Sequence, residues 1–290
     1  MKLYIIGNGF DLNHGMKTNF ENFRVFINNK QSKSIGELER LCIQDVWNDF
    51  EFSLGAIDFE MFMAEMGSVY DREDNDNYDE DSMYSDQFDF EHYLPNYTDL
   101  QEDLIEWLSN VDLPIKKYKL DRESMFLTFN YTNVLEKVYE VDNNRIIHIH
   151  GSLGSDENLQ VGFGNINTDN ILDEADCGIY TKDFPYELIG YEMIVNYLNN
   201  FEKNIARNIE KYPNLFKKRL CFNEIYILGF SFNQIDITYL KLIFDNIDSE
   251  TKINISYYND KDKKKINNFI KNIKFENVKI DIMENILEKI

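Results

Sequence analysis

Four short segments place small, polar and titratable residues directly after apolar runs. The first is Ile5-Ile6-Gly7-Asn8-Gly9-Phe10-Asp11, a buried strand entering a Gly-x-Gly turn. Glycines there permit positive φ and let backbone amides approach a pyrophosphate at a helix N-terminus, so Gly7, Asn8, Gly9 and Phe10 are candidates for holding the phosphates of a dinucleotide. Leu12 stands where GxGxxG has its third glycine, which removes the close helix contact of standard dehydrogenases and disfavours hydride transfer. A tight turn with no ligand is the structural alternative. Asp11 and His14 lie just beyond, suited either to touching a ribose or to capping and packing at the helix start.

The second segment, Thr128-Phe129-Asn130-Tyr131-Thr132, closes another strand, at the end where parallel sheets bind ligands. Asn130 offers two donors and an acceptor for a ribose hydroxyl or a water, while Thr128 and Asn130 could equally do no more than cap the helix starting at Asn133-Val134-Leu135-Glu136. The third is His148-Ile149-His150-Gly151-Ser152. Strand alternation sends both histidines to one face, and Gly151 ends the strand, so His150 is expected at the rim rather than in the core. There it suits a general base or ribose contact, with a buried structural histidine second and a metal ligand third, because no further ligands are evident. The fourth, Leu228-Gly229-Phe230-Ser231-Phe232 with Asp236 beyond, presents another small-residue turn for Gly229, Ser231 and Asp236 to hold the second half of a nucleotide. Asn233 replaces the closing glycine of a GxSxG elbow, so a serine hydrolase is disfavoured, and Ser231 is expected as an N-cap.

The elements that must position these segments are five short apolar runs: Leu3 to Ile6, Met125 to Phe129, Ile146 to Ile149, Ile225 to Phe230 and Ile253 to Tyr257. Helical patterns lie at Asn19 to Phe26, Tyr186 to Glu210, Asp236 to Ile247 and Asp260 to Ile273, and Thr98-Asp99-Leu100-Gln101 reads as a capping box. Strands alternating with helices predict an α/β fold, a Rossmann-like, mainly parallel sheet with helices on both faces. Residues 15–122 carry helix patterns without a strand, so one domain spanning 1–290 is expected to hold a large helical insertion or lid after its first strand. Within it, 71–91 contains ten acidic residues and one basic residue, which favours a solvated loop. An EF-hand is disfavoured there because its sixth and twelfth positions, counted from Asp71, hold Asp76 and Ser82.

A formal charge of −22 makes most of the surface repel phosphate polymers and anionic lipid, so general nucleic-acid and membrane binding are not expected. The run Lys261-Asp262-Lys263-Lys264-Lys265 is the local exception and reads as the solvated start of a helix. Cys42, Cys177 and Cys221 are odd in number and far apart, which suits free thiols, no cysteine zinc site and a cytoplasmic setting. No stretch is long and apolar enough for a signal peptide or transmembrane helix.

Taken in order, GNGFDLNHG from Gly7, TFNYT from Thr128, HIHGS from His148 and LGFSFNQID from Leu228 resemble the AbiH family of bacterial phage abortive-infection proteins, which is similar to the wider SIR2-like group. That resemblance implies NAD as the ligand, with no metal, bound by Gly7, Gly9, Thr128, Asn130, His150, Gly151, Gly229 and Ser231. Sirtuin-type deacylases carry a zinc ribbon on paired cysteines, which this chain lacks, whereas defence members of the group hydrolyse NAD. The resemblance therefore implies an NAD glycohydrolase with Asn130 and His150 as its catalytic residues, a phage-derived trigger and a possible homo-oligomer. A sensor that binds NAD or ADP-ribose without cleavage is the alternative, and a metal-dependent nuclease a more distant one.

Overall fold

The computed structural model describes residues 1–32, 35–42, 45–73, 94–155, 158–164, 185–271, 273, 275 and 277–289. The chain forms two compact units. The first comprises 1–23, 105–160 and 204–290, and it carries the sheet. The second comprises 24–104 and 161–203, so it draws on most of the helical insertion together with a later segment that hydropathy did not associate with it.

The sheet of the first unit has six strands: β1 (Lys2–Ile6), β2 (Met125–Thr128), β3 (Ile146–His148), β4 (Glu224–Leu228), β5 (Lys252–Tyr257) and β6 (Val278–Ile282). Their order is β3-β2-β1-β4-β5-β6 and every pair is parallel. This is the strand order of a Rossmann-like sheet, with helices on both faces and a large helical insertion after the first strand. Alternation along β1 builds both faces. Leu3 and Ile5 join Leu127, Ile225, Ile227, Ile253 and Ile255 in one apolar core, while Tyr4 and Ile6 join Phe126 and Leu228 in the other.

Helix α1 (Asn8–Asn13) follows β1 at once, and its Phe10 sits in the second core. Between β1 and β2 run α2 (Phe20–Lys30), α3 (Gly36–Leu41), α4 (Phe50–Ser53), α5 (Phe59–Glu73) and α6 (Tyr97–Ser109). The described residues of this stretch hold no strand. Asp71, Arg72 and Glu73 end α5, and the rest of the acidic run lies outside the described residues. The cap of α6 is Asn96, whose side chain accepts from the Thr98 and Asp99 amides, instead of the anticipated Thr98; an asparagine two residues upstream satisfies the same orphan donors and starts the helix earlier.

Helix α7 (Val134–Lys137) lies between β2 and β3; α8 (Pro185–Phe201), α9 (Ile205–Lys211) and α10 (Pro213–Phe216) precede β4. The single helix expected over 186–210 is thus two, because Asn204 caps a new start by accepting from the Arg207 amide. Helix α11 (Gln234–Asp245) follows β4, α12 (Asp260–Ile270) follows β5, and α13 (Met283–Ile286) follows β6. Tyr239, Leu240 and Ile243 of α11 and Ile266 and Phe269 of α12 fill the first core. In the second unit α5 packs on α8, the buried Tyr197 hydroxyl donates to the Leu54 carbonyl at 2.7 Å, and the buried Lys203 ammonium meets Glu51 at 2.6 Å.

Register sets the functional edge. Ile6 lies opposite Thr128 and Leu228, and Thr128 lies opposite His148, so four strands end in one row. At its centre the chain after β1 meets the chain after β4 backbone to backbone. Gly7 N donates to Leu228 O at 3.0 Å and Gly9 N to Gly229 O at 2.8 Å. A Cβ on Gly229 would stand 2.1 Å from Phe10 N, and its φ of +63° is one that L side chains rarely adopt.

Gly229→Ala should therefore destabilise the chain by about 2–4 kcal/mol in urea unfolding, combining an αL penalty with forced separation of the two turns. Gly15→Ala, where φ is +83° but no atom lies within 4 Å of the added Cβ, isolates the backbone term and should lose only about 1–2 kcal/mol.

Candidate functional site

The row of strand ends delivers the four segments to one edge of the sheet, and their side chains sort into two polar clusters. The first cluster contains Asp11, Asn130, Thr132, His148 and Glu136. Asp11 of α1 is 1% exposed and its Oδ2 accepts from the Thr132 hydroxyl at 2.6 Å. Asn130, 6% exposed, lies alongside; its amide N–H donates to Thr128 Oγ1 at 3.1 Å, which fixes the turn out of β2. The Asn130 carbonyl accepts from His148 Nδ1 at 3.1 Å, and His148 Nε2 meets Glu136 Oε1 of α7 at 2.6 Å. Both imidazole nitrogens face acceptors, so the ring makes both bonds when each nitrogen carries a proton.

Acceptors outnumber donors in this cluster. Asp11 Oδ1, Asn130 Oδ1 and Glu136 Oε2 are buried and receive no hydrogen bond. Each unmet buried acceptor costs about 1–3 kcal/mol, and three in one connected cluster exceed what packing alone explains. Burial raises the Asp11 carboxyl from an ordinary 3.8 to about 6, against the opposing effects of the Thr132 hydroxyl, the Asn130 amide and the charge of His148.

The second cluster lies toward the other core. His150 Nε2 meets Asp236 Oδ1 at 3.1 Å, and Asn233 both caps α11, accepting from Asp236 N at 2.7 Å, and donates to Asp236 Oδ2 at 3.0 Å. The cap is Asn233, not the exposed Ser231 expected from sequence, because the chain passes through a left-handed turn at Phe232, φ +53°, after the serine and enters the helix only at Gln234. His150 is 2% exposed, edge-on to Phe129 and Tyr239. Its placement at the rim is thus corrected to burial. Strand β3 stops at His148 and the chain turns through Ile149 and His150, so the alternation that would give both histidines one face does not extend to the second. Gly151 continues that turn at a φ of +82°.

The glycine turn also differs from its expected use. Gly7 and Gly9 amides bond to Leu228 and Gly229, and Phe10 N bonds to Gly7 O at 2.9 Å, so of the four amides expected to hold a pyrophosphate only that of Asn8 lies outside these bonds. The close contact between the turns of β1 and β4 consumes the donors that a ligand would need. The Asn8 side chain exchanges two 2.7 Å hydrogen bonds with Thr18. His14 has both nitrogens engaged, Nδ1 with Phe10 O at 2.7 Å and Nε2 with the Tyr139 hydroxyl at 2.6 Å, which is the packing arrangement. Beside it, Asn13 and Lys117 converge on Glu284, and the Asn13 bond leads the interactions holding that carboxyl down at about 2, so α13 clasps the end of α1.

Thr132, Glu136 and His148 were not singled out as site residues, although all three fall within or beside the quoted segments. Their signal was local: Thr132 two residues past Asn130, and a glutamate in the first turn of the helix that follows. Among the described residues, no group of three or more histidine, cysteine, aspartate or glutamate side chains is gathered to hold a metal ion. No described helix is long and apolar enough to cross a membrane.

A Rossmann-like parallel sheet with buried polar clusters at its carboxyl edge defines an α/β protein whose fold is compatible with nucleotide binding. The family model described as bacteriophage abortive infection AbiH matches residues 3–258, and the chain belongs to that family. No curated protein and no solved structure matches it.

Because Asp11 holds its proton more tightly folded than unfolded, its contribution to stability is full below about pH 4 and is lost as pH rises through about 6. Asp11→Asn should consequently be more stable than the parent at pH 8, by at most about 3 kcal/mol, with the difference vanishing below pH 4. Urea midpoints across that range measure it, and equal midpoints at pH 8 would refute the strained carboxyl.

Proposed function

We propose that this abortive-infection protein binds NAD at the carboxyl edge of its sheet and hydrolyses it to ADP-ribose and nicotinamide. The observation that carries the reading is the pair of unmet acceptors, Asp11 Oδ1 and Asn130 Oδ1, in one buried cluster where β1 and β2 end. A ligand that completes them brings hydrogen-bond donors, and the hydroxyls of a ribose are donors of that kind. Phosphate is an acceptor and does not complete them. The ribose therefore belongs at the cluster, and the acidic surroundings suit the cationic nicotinamide ring attached to it.

Nicotinamide leaves as a neutral ring from a cationic one, so departure needs little acid assistance and the site must steady an oxocarbenium-like centre. Asn130, fixed through its own amide by Thr128 and through its carbonyl by His148, orients the ribose. His150 and Asp236 hold the neighbouring turn from behind. Both acceptor oxygens are closed off from solvent, so a ligand reaches them by displacing the side chains that cover them. The resemblance of the four segments to SIR2-like proteins supports the choice of NAD, and membership in an abortive-infection family fits depletion of a shared metabolite on activation by a phage component. The same acceptor pair also fits a sensor that binds NAD without cleaving it.

Purified protein incubated with NAD should release nicotinamide, and Asn130→Ala should lower that release about 100-fold or more. NAD-dependent thermal stabilisation without release would replace hydrolysis by sensing, and neither effect at millimolar NAD would reject the ligand.

A further inference from the structure

We infer that Asp11 is the proton acceptor of the site, a catalytic role that the sequence pattern gives to His150. This rests on the hydrolysis reading above. Four observations carry it. His150 has Nε2 on Asp236 and is enclosed by Phe129 and Tyr239, in the cluster toward the other core. Asp11 keeps one carboxylate oxygen without a hydrogen bond, in the cluster where the side-chain oxygen of Asn130 is unmet as well. Thr132 holds the opposite oxygen at 2.6 Å, which fixes the carboxyl plane and leaves Oδ1 as the reactive lone pair. The helix that carries Asp11 is itself anchored at both ends, by the glycine contact at Gly7 and Gly9 and by the Glu284 clasp at Asn13.

The charged surroundings tune this group from each element packed against it. On β3, His148 favours the carboxylate; behind it on α7, Glu136 holds the imidazole. Tyr139, just past α7, shares an electrostatic interaction with Asp11 and binds His14 at the end of α1. Burial opposes ionisation and leaves the carboxyl at about 6, so at neutral pH it is mostly ionised yet remains a stronger base than an exposed aspartate. Glu136 and His148 are positioning residues: they act on substrate only through Asp11 and Asn130.

The step balances without a further reactant. The oxygen of a water forms a bond to ribose C1′, and the bond from C1′ to the nicotinamide nitrogen breaks with its electron pair passing to the ring. The surplus water proton moves to Asp11 Oδ1 and from there to solvent.

Two measurements on the full chain test this. In ligand-free protein labelled with carbon-13 at aspartate carboxyls, the signal missing from Asp11→Asn should titrate near 6, and its midpoint should rise in His148→Gln, which removes the electrostatic interaction that favours the carboxylate. With NAD as substrate, kcat/KM for nicotinamide release, which reports the free enzyme, should climb with pH along that same midpoint. Asp11→Asn should lose at least about 100-fold in kcat, and Asp11→Glu should recover part of it. An Asp11 signal titrating near 4, or Asp11→Asn retaining kcat within threefold, overturns the assignment while leaving NAD hydrolysis in place. A midpoint near 6 with no nicotinamide released at any pH overturns the hydrolysis reading, and the catalytic role falls with it.

Discussion

Backbone meeting backbone at the centre of the sheet edge is the constraint on which the rest of this structure depends. Gly7 and Gly9 after β1 lie against Gly229 after β4 with no room for a Cβ on any of the three. The two turns then part, β1 leading to α1 and Phe10 on one face, β4 leading to α11 and Tyr239 on the other. This is the point at which strand order reverses in a doubly wound sheet, and where such sheets open a crevice. Here the turns are drawn together by two backbone hydrogen bonds, which fixes how far α1 stands from the end of β2. That distance places Asp11 within 2.6 Å of Thr132. A side chain at any of the three glycines would push α1 outward and separate the carboxylate from its hydroxyl donor.

Placement there has an energetic consequence. Enclosing a carboxyl among Phe10, the strand ends and α7 raises its proton affinity, and the cluster opposes that with one hydroxyl, one side-chain amide and one imidazole. A chain selected only for stability would replace Asp11 by an apolar or amide side chain, since buried acceptors without donors oppose folding. The fully satisfied polar groups nearby make the contrast plain. Gln160 and Asn208 exchange amide hydrogen bonds at 2.9 and 3.2 Å, and Asn208 also donates to the Tyr239 hydroxyl. Of these two polar networks, one is closed by mutual hydrogen bonds and the other is short of donors, so they differ in what they ask of a ligand.

Much of this was legible in the residues. Continuous apolar runs located β1 to β5 to within a residue or two, because strands buried on both faces need no alternation. Edge strand β6 escaped the same criterion: Val278-Lys279-Ile280-Asp281-Ile282 alternates, as a strand with one wet face does, and yields no apolar run. The four quoted segments do meet at one edge, since each marks the exit of a strand from a sheet whose ends are level. Side-chain roles were less accessible. Spacing of two put His148 and His150 on one face, yet a strand of three residues ends before the second histidine, and the turn carries it to the other core. Glycines read as a cradle for phosphate instead pack against another glycine more than two hundred residues away, a contact that no local pattern encodes.

The division between the two histidines also bears on how far family membership reaches. Residues 3–258 match the family model, and that span contains all four strand exits and both polar clusters. The clasp on α1 is built differently, from Glu284 beyond that span and from Asn13, Lys117 and Tyr118 within it. Lys119 and Glu288 extend the same junction through a 3.0 Å backbone bond. The geometry of Asp11 is therefore fixed at the start of α1 by glycines in the matched span and at its end by a carboxylate outside it. A six-residue helix has too few internal hydrogen bonds to hold its own axis, so both anchors are needed for the carboxylate to keep its alignment with Thr132 and Asn130.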